Sequence, residues 1–208
     1  MRITYKETTK TLFSNKWGSN IPLGGMRTPG TATADDPRDP FEGYTRMTFS
    51  TQQRLLLNAM IEVESGGDLD SIGDNGKAIG GLQIWYIYWH DCQEQLGYKP
   101  APVSNPNAPA STWGRYLDCY NLNYAERMVD AYMKRYTKQT KSWARLGGKK
   151  ALSQKDFMKY AEIVARIHNG GPAGATSRRN ATNDYWKKIK HQLDVGPPPR
   201  PIQREPLG

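Results

Sequence analysis

The sequence predicts an α+β body, mainly helical, with one small β-hairpin and an extended arm at each end. Three observations carry that expectation. Apolar residues recur at three- and four-residue spacing in stretches between residues 50 and 193. Asp-Asn-Gly at 74–76 sits between two short β-prone runs, which is a hairpin signal. Aperiodic segments rich in Gly and Pro flank this body at residues 1–46 and 195–208, which bounds it at 47–194.

The elements follow in order. In the arm, NIPLGGMRTPGTATADDPRDPFEGY lacks the apolar surface that would offset its ordering entropy. Ser50-x-x-Gln53 then reads as a capping box opening a helix. Within it Leu56, Met60 and Val63 share one face with Leu57 and Ile61, and Gly66-Gly67 ends it. After the hairpin, QIWYIYWHDCQEQLG reads as a second helix stopped at Gly97. Residues 99–114 form a loop of Pro, Asn and Ala. NYAERMVDAYMKRY (123–136) is amphipathic, with Ala125, Met128, Val129, Tyr132, Met133 and Tyr136 on one side. Ser153-x-x-Asp156 caps a helix that runs to ARIHNGGP, and Thr182 starts a last one carrying Tyr185, Ile189 and Leu193. The prolines of VGPPPRPIQREPLG favour an extended tail.

A chain of 208 residues can bury one adequate core. Its net charge of +9 is unevenly spread: residues 1–140 carry 15 basic and 15 acidic side chains, residues 141–208 carry 14 and 5. The basic third suits an anionic partner, and equally a solvated face. Two cysteines, Cys92 and Cys119, suggest a reducing compartment and no staple between them. No metal-ligand spacing is present, with His90, His168 and His191 far apart, and no cofactor is expected. No apolar run approaches the length of a membrane span. MRITYKETTKTLFSNKWGSN has no apolar signal core, so an intracellular location, cytoplasmic or cytoskeletal, is the expectation.

Two carboxylates draw the chemistry. Glu64 falls at the C-terminal end of an apolar helix, where the dipole and burial both disfavour its charge. A carboxyl so placed keeps its proton near neutral pH, which is what a general acid needs. Asp74, in a polar turn, is expected to be ionised. A protonated acid facing a carboxylate is the arrangement of glycoside hydrolysis. Most Glu residues at helix ends are solvated, and Glu62, Asp68 and Asp70 nearby read as surface charge.

Six motifs, ESGG, GDNGKAIGGLQI, YWHDC, AYMKRY, ARIHNGGPAG and DYWKKI, in that order, resemble the invertebrate-type (destabilase-like) lysozymes over about residues 50–193. The resemblance implies a lysozyme-like fold with a sugar-binding cleft beside the hairpin. It implies Glu64 as acid and Asp74 as the carboxylate, with Gln83, Ile84, His168 and Asn169 lining or supporting the cleft. The sequence departs from the pattern in its few cysteines, its lack of a signal core, and a slightly shorter interval between Asp74 and Gln83.

Two functions follow as expectations. One is a muramidase that cleaves the β-1,4 bonds of peptidoglycan, with Trp85, Tyr86 and Trp89 available to stack on sugars or to pack in the core. The other is a non-catalytic lysozyme-fold component of a large intracellular assembly, such as an axonemal microtubule lattice. There acidic tubulin or other cytoskeletal partners would order both arms. Nothing resembles a nucleic-acid reading module.

Overall fold

The computed structural model describes Tyr44, residues 46–105 and residues 107–202. Apart from Tyr44 and Arg46, the N-terminal arm lies outside the described residues, as do residues 203–208 of the tail and the ordering expected of both.

Helix α1 (Thr51–Ser65) begins at the expected capping box. Ser50 Oγ accepts from the Gln53 amide, and the Gln53 side chain accepts from the Ser50 amide. It ends where Gly66 turns left-handed (φ 63°), a conformation that suits glycine. Strands β1 (Ile72–Gly73) and β2 (Ala78–Ile79) pair antiparallel, with Ile72 opposite Ile79. The turn between them holds Asp74, Asn75 and Gly76 at φ 47°, 56° and 86°.

The second helix starts later than the sequence suggested. Gln83 sits at φ 46°, and Ile84–Trp85 form a third strand, β3, paired with β2. Helix α2 therefore spans Tyr86–Gln95. The physical reason is the tight turn before it: Gly80, at φ 75°, lies so close to the Cys119 carbonyl that a Cβ would come within 2.2 Å of that oxygen. That approach fixes residues 80–83 as a loop, and the apolar pair behind it joins the sheet.

Helix α3 (Leu122–Tyr136) is capped by Asn121, whose side chain accepts from the amides of Asn123 and Tyr124. The face predicted from periodicity is buried from Ala125 through Met133, with Tyr136 half-buried at its end. A short helix α4 (Ser142–Leu146), unforeseen from the sequence, buries Trp143 and Leu146. Its five residues are too few to show a period. Helix α5 (Gln154–Gly170) starts at Ser153, which accepts from the Asp156 amide. Helix α6 (Asn183–Val195) follows a turn at 180–182.

One core joins Leu56, Leu57, Met60 and Ile61 of α1 to α3, α5 and Ile189 of α6, and Ile79 and Ile84 extend it under the sheet. Cys92 and Cys119 are buried in it as free thiols. Trp89 is core as well: its indole N–H donates to the Tyr124 hydroxyl at 2.7 Å. Tyr44 packs on Trp113 and Tyr124 and donates to Asp118 at 2.6 Å, so the end of the arm belongs to the body.

Candidate active site

Glu64 occupies the next-to-last position of α1. Its side chain is 16% exposed, against α5 and α6. Burial pushes its carboxyl up to about 7, and the charge of Asp74 pushes the same way, against opposing influences from Tyr185 and Lys188. The two sequence-predicted carboxylates thus share one electrostatic neighbourhood. One comes from a helix end and the other from the hairpin turn, where Asp74 is exposed.

His168, near the end of α5, is buried, with Nε2 3.5 Å from Glu64 Oε1. Its tautomer follows from its neighbours. Nε2 lies 3.2 Å from the Leu82 carbonyl, which can only accept, so Nε2 carries the hydrogen. Nδ1 then accepts from the Tyr88 hydroxyl at 3.2 Å. Burial lowers the His168 pKa to about 4, so at neutral pH the ring is uncharged and its contact with Glu64 is no ion pair.

The other predicted residues lie on α5 and at or just before the start of β3. Gln83 donates to the carbonyls of Ser71 and Gly80 at 3.2 and 2.8 Å, tying the hairpin to the loop that follows it. Ile84 is fully buried in the core, so its side chain does not line a cleft. Asn169 is half-buried beside His168 on α5. Of the three aromatics, Trp85 is exposed with the Lys77 ammonium 6.0 Å from its ring, Tyr86 is half-buried, and Trp89 is core.

Three residues at the site escaped the sequence reading in this role: Tyr88 on α2, and Tyr185 and Lys188 on α6. Tyr185 was legible only as part of an apolar stripe. What brings α6 to Glu64 is the buried Arg166, which bonds the Arg179 carbonyl, the Thr182 hydroxyl and the Asn183 side chain at 2.7, 2.9 and 2.8 Å. That junction fixes the start of α6 on α5, and α6 then packs along α1.

Away from these residues, His90, Asp91 and Glu94 offer three ligand atoms within 4.8 Å of one another. The two carboxylates already have donors. Arg135 donates to the Asp91 carbonyl and to Glu94, and the Tyr136 hydroxyl donates to Asp91. A surface depression lined by Phe49, Asp130 and Trp143 contains none of the site residues.

The family model described as Destabilase matches residues 53–192. Lysozyme 1 of Crassostrea virginica is 30% identical over 118 residues, covering 57% of this chain and 46% of that protein. The lysozyme of Ostrea edulis is 34% identical over 113 residues, covering 54% and 58%. The match thus spans about half the length of these oyster proteins. In the solved complex titled "Crystal structure of Aeromonas hydrophila PliI in complex with Meretrix lusoria lysozyme", one chain aligns at 26% identity over 69% of this chain and 89% of that one, with a TM-score of 0.40. Across its folded body, the chain belongs to the destabilase family of invertebrate-type lysozymes.

Proposed function

We propose that the protein is a glycoside hydrolase cleaving β-1,4 bonds of a peptidoglycan-type polysaccharide, with Glu64 as general acid and Asp74 as its carboxylate partner. One arrangement carries the reading: a carboxyl at a helix end, 16% exposed and 3.5 Å from buried His168, where burial pushes its pKa up to about 7 and the Asp74 charge adds to the shift. Such a Glu64 holds its proton at neutral pH and gives it to the departing glycosidic oxygen. The Asp74 charge opposes the positive charge that grows on the sugar ring. His168 and Gln83 hold the surrounding backbone and Glu64 in place, and Asn169 and Trp85 are the groups open to the sugar. Exposed Lys187, Lys188 and Lys190 on α6 favour an acidic polymer. The names of the oyster relatives support the same substrate class.

The test is clearance of a bacterial cell-wall suspension by the full chain between about pH 4 and pH 8, the range the Glu64 proton spans. Glu64→Gln is expected to lower the rate by about 10²–10⁴-fold. The wild-type rate should fall as pH rises through about 7, when Glu64 loses its proton. Equal rates in both proteins would remove Glu64 from the chemistry. No clearance by a folded wild type would leave the non-catalytic assembly role in its place.

A further inference from the structure

Tyr185 presents a buried hydroxyl that meets strict hydrogen-bond geometry with no described residue, although it stands close enough to the Glu64 carboxyl to interact with it as a donor. Leaving such a group unpaired is unfavourable, and phenylalanine would fill the same space without that cost. The hydroxyl is not idle electrostatically, because burial, the Glu64 charge and its donor interaction with Glu64 all hold its own proton firmly on. It remains a donor throughout the physiological range.

Glu64 is faced by Asp74 from the hairpin, His168 from α5, Tyr88 from α2, and Tyr185 and Lys188 from α6. While Glu64 is protonated, its carboxyl needs no strong donor. After the proton leaves, a carboxylate remains in a desolvated site with a second negative charge nearby. The His168 N–H is already directed at Leu82, 3.2 Å away. Lys188 is exposed and acts through solvent-screened charge.

We propose that Tyr185 is a positioning residue, its hydroxyl being the donor kept for the Glu64 carboxylate that forms when the acid gives up its proton. The catalytic part rests on Glu64 being the acid of the proposed hydrolase. The pairing itself does not.

The experiment follows the Glu64 carboxyl by ¹³C NMR against pH in the full chain, with Glu64→Gln assigning the resonance. In Tyr185→Phe the midpoint should rise by about one pH unit, a tenfold change in protonation constant. That rise should persist in about 0.5 M KCl, whereas the rise in Lys188→Met should collapse there. Incorporating 3-fluorotyrosine at position 185, a stronger donor of nearly the same shape, should move the midpoint down and covers a failure of the Phe variant to fold. In cell-wall clearance the alkaline limb should shift with the midpoint, and the maximal rate of Tyr185→Phe should drop about tenfold. An unmoved midpoint in a natively folded variant overturns the proposal, whether or not clearance falls. A moved midpoint in a protein that clears no walls upholds the pairing and sinks the hydrolase.

Discussion

Glu64 and His168 lie 3.5 Å apart, and burial moves their protons in opposite senses. Glu64 shifts from 4.5 to about 7 on folding. Below pH 4.5 both folded and unfolded chains hold that proton, so it adds no penalty. As pH rises toward 7 the unfolded chain releases it first, and folding loses about 3 kcal/mol by the upper end. His168 shifts from 6.5 to about 4. Above 6.5 both states are neutral, and as pH falls toward 4 the unfolded chain binds a proton the fold refuses, for a loss of about 3 kcal/mol at the acid end. Glu64→Gln should therefore gain stability over wild type by about 3 kcal/mol more at pH 8 than at pH 4, measured by urea unfolding. The cost of His168→Asn should instead shrink on acidification. The direction of the Glu64 shift was legible from its place at an apolar helix end. The neutral state of His168 was not, because Leu82 and Tyr88, which fix its tautomer, are distant in sequence.

At the scale of elements, the helices α1, α3, α5 and α6 were legible because each carries its own cap or its own 3.6-residue period. The start of α2 was not, since only the contact between Gly80 and Cys119 shows that residues 80–83 must turn. The junction of α5 and α6 is organised around the buried Arg166 guanidinium, with Arg178 and Arg179 adding bonds to Gly170 and Glu162. Arg166 spends its donors on Glu162, Arg179, Thr182 and Asn183 in a fork that lysine cannot reproduce. Arg166→Lys is expected to lower stability by about 2–3 kcal/mol, read as a lower Tm. Because the same junction sets Tyr185 and Lys188 against Glu64, the variant should also lose cell-wall clearance beyond what its folded fraction explains.

For the molecule as a whole, the described part of the proline-rich tail, to residue 202, is attached to the body. Fully buried Glu126 is paired with Arg54 of α1 and with Arg200 of the tail, 2.9 Å away, and Arg200 also donates to Asn123 at 2.7 Å. Pro201 comes to rest over Gly67, just past the end of α1. Arg200→Ala should cost about 2 kcal/mol and expose residues 196–202 to limited proteolysis. Glu126→Ala should cost about 3–5 kcal/mol, since both arginines then lose their carboxylate. Cys92 and Cys119 are inaccessible, and burial pushes both thiols up. Neither should react with Ellman's reagent until denaturant is added, when both should.

The sequence by itself determined the helical body and the hairpin, because caps, periodicity and turn chemistry act over a few residues. Tertiary structure alone decided how strongly Glu64 holds its proton, since that depends on its burial and on groups brought to it from α6 and the hairpin. It also decided the pairing of Arg200 with Glu126. A charge separated by 74 positions leaves no local trace, and only the folded chain shows that burial has made each the other's partner.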